Sequence, residues 1–305
     1  MIYTVTVNPS IDYIVQLPQL ELGAVNRMTY DTKLPGGKGI NVSRILNQLK
    51  VENAAWGFLG GFTGEFIQQQ LAAENLTTDF TKINADTRIN VKIKAGEETE
   101  INGQGPAITA AASADFTAKF DQLQAGDIVV MSGSLPKSLP ESFYHDLIPL
   151  IQAHGADFVI DTTSQALLDT LSAQPLVVKP NHHELAALFN VTLADDAAIV
   201  KYGRKLLDLG AKNALVSMAG AGAFLITPDQ VYKSTAPKGT VINSVGAGDS
   251  MIAGFVGTFS QTQDPLKSFA TGLACGSATA FSEDLANQAK IAEVRQSITI
   301  KQYTA

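Results

Sequence analysis

The chain has 305 residues, 45% hydrophobic and 17% charged, enough apolar surface for a substantial core in one large α/β domain or two smaller ones. A formal net charge of −7 argues against nonspecific nucleic-acid binding and against a polybasic membrane anchor, so an anionic substrate needs a locally basic pocket. One cysteine, Cys275, excludes an internal disulfide, no apolar stretch reaches the ~18 residues of a membrane span, and no signal-like pattern opens the chain, so a cytoplasmic protein is expected.

In chain order, Tyr3 to Val7 is rich in β-branched residues and ends at the turn Asn8-Pro9-Ser10, which predicts a strand. Asp12 follows; its carboxylate can accept two hydrogen bonds from a vicinal diol, or it can cap its own turn. Ile11 to Leu17 alternates apolar and polar residues, as a strand with one solvated face does, and Met28 to Leu34 is its candidate partner.

Pro35-Gly36-Gly37-Lys38-Gly39-Ile40-Asn41 then brings three glycines around one lysine. Glycines let backbone amides approach a ligand that Lys38 and Asn41 can also reach, which is more than a turn demands. It is not a Walker A loop, because Gly39 stands where that motif needs Ser or Thr after the lysine. A helix is predicted over Asn41 to Leu49, a strand over Ala54 to Gly60 and a helix over Gly64 to Glu74.

Arg88 to Lys94 alternates again, and Glu97 to Asn102 follows a turn at Gly96, so a hairpin is expected. Strands with one polar face among buried segments suggest a small sheet standing off the main body, built from residues 11–34 and 88–103. Its exposed edge and face could pair with a second copy of the chain, giving a homodimer.

From about residue 110 strands and helices alternate. Strands are predicted at Ile128 to Ser132, Asp157 to Asp161, Leu176 to Lys179, Ala214 to Ser217 and Ala223 to Ile226. Helices are predicted at Phe143 to His154, His183 to Phe189, Ala197 to Leu209, Ser250 to Phe259 and Leu266 to Ala280. Such alternation implies a largely parallel sheet covered on both faces.

Within this half, Asn181 and Glu184 stand three apart at a helix start. They can organise water around Mg²⁺, or they can form a capping box. His182 and His183 lack a matching ligand at zinc spacing. Ser217 to Ala223 can bed a nucleotide or simply turn a hairpin, and Cys275 reads as a buried structural thiol.

Asn243-Ser244-Val245-Gly246-Ala247-Gly248-Asp249-Ser250 carries most information. Two glycines flank a small residue before an apolar helix, so free amides and the helix dipole favour an anion there. A dinucleotide fingerprint starting at Gly246 would need glycine where Met251 stands. Asp249 either caps the helix or stands beside an anion hole as a general base, a combination that suggests phosphoryl transfer. Arg27, Lys38, Arg88 and Lys92 supply cations for a phosphorylated substrate.

Taken together, Pro35 to Arg44, Gly133-Ser134-Leu135-Pro136, Asn181 to Glu184 and Asn243 to Ser250 occur in the order of the PfkB family of carbohydrate kinases, which this chain resembles over nearly its whole length. The resemblance implies a ribokinase-like fold, a three-layer α/β/α sandwich with a largely parallel central sheet and a small β-sheet lid, in one kinase domain over residues 1–305. It implies ATP and Mg²⁺, with Asp249 as catalytic base and the amides of Gly246, Ala247 and Gly248 as the anion hole. Asp12, Gly37, Lys38, Asn41, Ser134 and Arg27, with Arg88 and Asn90 from the lid, would contact a sugar phosphate. Lys179, Asn181, Ser217, Gly220, Gly222, Gly246, Gly248 and Ser277 would face the nucleotide, and Glu184 with Asn181 the metal, through water.

Within the family, Thr4 to Asp12 and Asn26-Arg27 suit kinases of fructose 1-phosphate and of tagatose 6-phosphate alike, and Thr87 to Ile93 favours fructose 1-phosphate. Ser217-Met218-Ala219 departs from the Ser-Leu-Gly of many relatives. The reading from another class is a non-catalytic sugar-phosphate sensor, which would need neither the anion hole nor a carboxylate at 249.

Overall fold

The apolar, β-branched runs of the first half pair with one another in parallel. In the structure, a computed structural model that describes residues 1–162 and 165–304, β1 (Ile2–Thr6) is followed by β2 (Ser10–Gln16), β3 (Tyr30–Gly36) and α1 (Lys38–Gln48). Next come β4 (Asn53–Gly60), α2 (Gly61–Ala73), β5 (Thr78–Ile83), β6 (Arg88–Ala95) and β7 (Glu97–Asn102). The chain continues through α3 (Ala110–Ala118), β8 (Ile128–Ser132), α4 (Phe143–Ala153), β9 (Asp157–Asp161), α5 (Gln165–Leu171), α6 (His182–Leu188) and α7 (Asp196–Asp208). β10 (Ala214–Ser217), β11 (Ala223–Ile226), β12 (Val231–Ser234), α8 (Ala247–Thr262), α9 (Pro265–Ala280), α10 (Gln288–Arg295) and β13 (Ile300–Gln302) complete it.

The central sheet has the order β5-β4-β1-β8-β9, and every pair in it is parallel. From β1 the chain builds outward through β4 and β5, then returns to the other side of β1 with β8. The β1/β8 boundary is therefore the point where strand order reverses, and ligands of open α/β sheets gather at the carboxyl ends of strands there.

Strand alternation splits the core between two layers of helices. Val5, Trp56, Val129, Met131, Phe158 and Ile160 point to one face, where they meet Phe116 of α3, Phe143 of α4 and Leu206 of α7. Ile2, Ile128, Val130 and Val159 point to the other, against Ile45 and Leu46 of α1, Phe255 of α8 and Phe269 of α9.

A separate four-stranded sheet, β3-β2-β6-β7, comes from the two segments with polar-faced alternation. β2 pairs antiparallel with β3 and parallel with β6, and β6 with β7 forms the expected hairpin.

Several expectations need correction. The last sheet, β10-β11-β12-β13, is antiparallel, because short links join β10 to β11 and β11 to β12 where a parallel crossover needs a dozen residues or more. Residues 176–179 are not a regular strand. They carry the sheet from β9 to β10 through single contacts: Leu176 N–H donates to Phe158 O, and Val178 and Asn181 form isolated bridges to Ala214 and Ser217. β5, α3, α5, β12, α10 and β13 went unpredicted. The Ala-rich run of α3 and the short edge strands carry little hydrophobic periodicity, and tertiary contacts decide them. Helix α1 begins three residues before the predicted start and α8 three before its own, so both glycine motifs sit partly inside first turns.

Trp56 is almost fully buried on β4, 4.2 Å in ring centroid from Tyr3 and 5.4 Å from Phe120. Trp56→Ala is expected to lower unfolding free energy by about 3–5 kcal/mol, read from a urea titration; a loss below about 1 kcal/mol would contradict this packing.

Candidate active site

Two helix amino termini converge at the carboxyl ends of β1, β8 and β9. The first is α1. Gly37 caps it with φ 123, in the left-handed region, and a Cβ there would come within 2.5 Å of Thr6 Cγ2, so only glycine lets the helix start so close to β1. The hydroxyl of Thr6 accepts from the Ile40 amide at 2.9 Å. Lys38 and Asn41 thereby project past the strand ends.

The second helix is α8. Gly246 caps it with φ 77, and Asp249 falls in its first turn, so the aspartate is not the cap.

Between the two lies a cavity of about 590 Å³. Asp12, Gly37, Lys38, Asn41, Arg88, Asn90, Ser134, Lys179, Gly246, Gly248 and Asp249, all foreseen, border it together. Lys92, Glu100 and Asn102 of the small sheet, and Ser132 and Asp161 from the ends of β8 and β9, border it as well.

Asp249 is 7% exposed and accepts a hydrogen bond from Asn41 Nδ2 at 2.9 Å. Burial, then the charge of Asp161, raises its pKa; the Asn41 bond, Lys38 and Lys179 oppose this, leaving it pushed up to about 6. Lys38 Nζ lies 2.7 Å from Asp161 Oδ2. Burial works against its charge, but Asp161, with Asp249 and Glu184 adding to it, holds the ammonium above its ordinary pKa.

Sequence reasoning missed Asp161. The signal was a charged residue ending the otherwise apolar run Phe158-Val159-Ile160, at a strand's carboxyl end.

The small sheet forms the opposite wall. Asp12 Oδ1 accepts from Ser10 Oγ at 2.8 Å and Asn90 Nδ2 at 3.1 Å, and Lys92 Nζ stands 3.5 Å from Asp12 Oδ2 and 3.7 Å from Glu100. This is a network, not a local turn cap. Arg88 donates from Nε and Nη2 to Asn8 O and from Nη1 to Gly103 O, so part of its guanidinium is committed to holding backbone. Burial pulls its pKa down, with Asp12 opposing. Asn8 Oδ1 and Ser132 Oγ border the same cavity, buried and without a hydrogen-bond partner among the described residues, which is unmet demand that a polar ligand can satisfy.

Other foreseen residues are not gathered there. Arg27 is exposed on the loop joining β2 to β3. Ser217, Gly220, Gly222 and Ser277 do not border the cavity. Gly222 closes the β10–β11 hairpin, its carbonyl accepting from Met218 N–H at 2.8 Å, so the small-residue run is a hairpin turn.

Asn181 and Glu184 form a capping box: Asn181 Oδ1 accepts from Glu184 N–H at 2.9 Å and Glu184 Oε2 from Asn181 N–H at 2.8 Å. Among the described residues no group of three or more His, Cys, Asp or Glu is placed to hold a metal ion. Cys275 is buried, and burial pushes its thiol up to about 12, as a structural role requires. No helix is long and apolar enough to cross a membrane among the described residues.

Comparison with known proteins agrees with this geometry. The pfkB family carbohydrate kinase profile matches residues 5–291. The chain is 49% identical over 288 residues to a 1-phosphofructokinase of Bacillus subtilis, covering 94% of this chain and 95% of that protein. It is 37% identical over 301 residues to a D-tagatose-1-phosphate kinase of Bacillus licheniformis, covering 98% and 99%. The crystal structure of phosphofructokinase-2 from Escherichia coli with substrates and products superposes with TM-score 0.92 at 28% identity, covering 97% of this chain and 98% of that one. The architecture is the ribokinase-like α/β fold. The chain belongs to the pfkB family of carbohydrate kinases and is an ATP-dependent sugar-phosphate kinase.

Proposed function

We propose that the cleft transfers the γ-phosphoryl group of ATP to the 6-hydroxyl of fructose 1-phosphate, giving fructose 1,6-bisphosphate and ADP. The observation that carries the chemistry is Asp249, buried in the first turn of α8 and hydrogen-bonded to Asn41. The choice of sugar rests on the 49%-identical Bacillus subtilis relative and on the Thr87 to Ile93 segment.

Asp12 and Asn90 bind sugar hydroxyls from the small sheet, and Asn41 does so from α1. Lys92, the remaining donors of Arg88, and Ser134 take the phosphate already on the sugar. The accepting hydroxyl then lies against Asp249, which takes its proton as the oxygen attacks phosphorus in line. The amide of Gly248, with Lys38, faces the charge that spreads over the transferred group; the Ala247 N–H, foreseen beside it, already donates to Ser244 O at 3.2 Å. Lys179 and the Asn181–Ser217 region face the nucleotide. The small sheet acts as a lid that limits hydrolysis of ATP by water.

Both capping-box oxygens at Asn181 and Glu184 already accept backbone N–H groups, so this pair suits Mg²⁺ that keeps its waters, with Glu184 reaching the water shell. When bound with ATP, Mg²⁺ neutralises phosphate charge.

The loop joining β2 to β3 exposes Leu22 (92%) and Val25 (85%), with Met28 and Tyr30 close in sequence, and the small sheet exposes Ile89 and Ile101 on β6 and β7. We assign this face to a second copy of the chain. A relative, phosphofructokinase-2 from Escherichia coli, has a tetrameric inhibited form.

Four measurements test this reading. An ADP-release assay should give a higher kcat/KM on fructose 1-phosphate than on tagatose 6-phosphate or unphosphorylated sugars. The reverse order would transfer the assignment to tagatose phosphate, and tight binding without ADP release would indicate a sensor.

Asp249→Asn should leave ligand binding largely intact and reduce kcat by about 10²–10⁴. Because the base acts deprotonated and its pKa is raised to about 6, wild-type kcat/KM should fall as pH drops through about 6. A profile flat from pH 5 to 8, or near-normal turnover in the variant, rejects the base.

Light scattering should give a dimer mass that Leu22→Asp converts to a monomer mass. A monomeric wild type at assay concentration would rule out the interface.

A further inference from the structure

Arg44 does not border the cavity described above, and it bridges two carboxylates. It sits on α1, three residues after Asn41 and so on the same side of the helix. Its side chain is 11% exposed. Nε donates to both carboxylate oxygens of Glu74, each at 3.0 Å. Nη1 and Nη2 donate to Asp284 Oδ1 and Oδ2 at 3.2 and 2.7 Å, the bidentate fork that guanidinium geometry favours. Burial works against the guanidinium's charge, and the two carboxylates more than compensate, raising its pKa.

The two arms reach different places. Glu74 caps the carboxyl end of α2, away from the cleft. Asp284 stands on the link between α9 and α10, and that link is stitched to the Asp249 turn. Asn243 Nδ2 donates to Glu283 O at 3.0 Å. Leu285 Cδ2 would lie 2.7 Å from a Cβ on Gly246, so its methyl rests on the residue that caps α8. The Ala286 amide donates to Thr279 Oγ1 at 3.2 Å, Thr279 Oγ1 lies 2.8 Å from Ser250 Oγ, and Ser250 Oγ donates to Gly246 O at 2.8 Å.

Helices α1 and α8 already pack through apolar contacts; a Cβ on Gly257, for instance, would meet Leu46 at 2.9 Å. A partly buried ion pair contributes little to stability over such packing, and its best-attested use is to set register.

We propose that the Arg44–Asp284 pair is a positioning device: it fixes the spacing between the α1 residues that hold the sugar and the turn that carries Asp249. Arg44 touches no reacting atom; it acts through Leu285 and Gly246. Displacing a reacting group by about 1 Å can cost 10²-fold in rate. The inference rests on the proposed role of Asp249 as base.

The test uses Asp284→Asn, with Glu74→Gln as the control that loosens the other arm of the same arginine. Each is measured for kcat, for KM on fructose 1-phosphate, and for melting temperature. Asp284→Asn should lower kcat about 10- to 100-fold with KM changed less than about threefold, while Glu74→Gln keeps kcat within about twofold at a comparable melting temperature. Arg44→Lys, which keeps the charge but loses the fork, should reproduce the Asp284→Asn loss, and it carries the test if Asp284→Asn does not fold.

Wild-type kcat in Asp284→Asn or Arg44→Lys would overturn the inference. Equal kcat losses in Asp284→Asn and Glu74→Gln, tracking their melting temperatures, would overturn it too. A wild-type protein inert towards every sugar phosphate would remove the kinase reading and this inference together. An active wild type with an equally active Asp284→Asn variant removes the inference alone.

Discussion

The 2.9 Å hydrogen bond from Asn41 to Asp249 joins the two helix amino termini on which the cleft is built. A carboxylate at this place is in an uncomfortable position. It is buried, and a second carboxylate, Asp161, raises its pKa further. The same helix end offers it partial positive charge, and Asn41, Lys38 and Lys179 moderate the penalty. The outcome is a carboxyl whose pKa is pushed up to about 6, as perturbed groups at functional sites often are.

Placing such a group requires a rigid frame, and the parallel sheet supplies it. β1, β8 and β9 end on one line, and each ends in a polar residue facing the cavity: Thr6, Ser132 and Asp161. Strand order reverses between β1 and β8, so the helices that follow diverge and leave a crevice. The small sheet roofs that crevice with its polar face, where Asp12, Asn90, Lys92 and Glu100 share hydrogen bonds and charge. Elsewhere the sheet exposes Ile89 and Ile101 beside the polar Glu97, Glu98 and Thr99.

The site balances opposite charges in a protein whose net charge is −7. Lys38, Arg88, Lys92 and Lys179 meet Asp12, Glu100, Asp161 and Asp249 around one cavity. Cations that already have carboxylate or carbonyl partners are pre-oriented and cost little to reorganise when a phosphate arrives. Arg88 illustrates the compromise: it spends donors on Asn8 and Gly103 carbonyls, which ties the small sheet to the end of β1, and so serves structure as well as charge.

Much of this was legible in the chain itself. The glycines around Lys38 and before Asp249 announced two helix starts, because a positive φ or a close backbone approach there favours a residue without Cβ. Short apolar runs marked β1, β4, β8, β9, β10 and β11, because a doubly covered sheet needs apolar residues in strands. Polar alternation marked the small sheet for the complementary reason. Local chemistry also favoured the capping box at Asn181 and Glu184, which the structure contains. Tertiary structure alone decided the rest. Asp161 and Arg44 take their roles from residues more than a hundred positions away, Lys38 and Asp284, and no local pattern encodes such a meeting. Arg27 shows the opposite case: a cation at a promising place in the sequence is exposed on the loop joining β2 to β3 and does not border the cavity. Spacing along the chain determines which residues share a strand or a helix face; packing of strands and helices determines which of those faces meet.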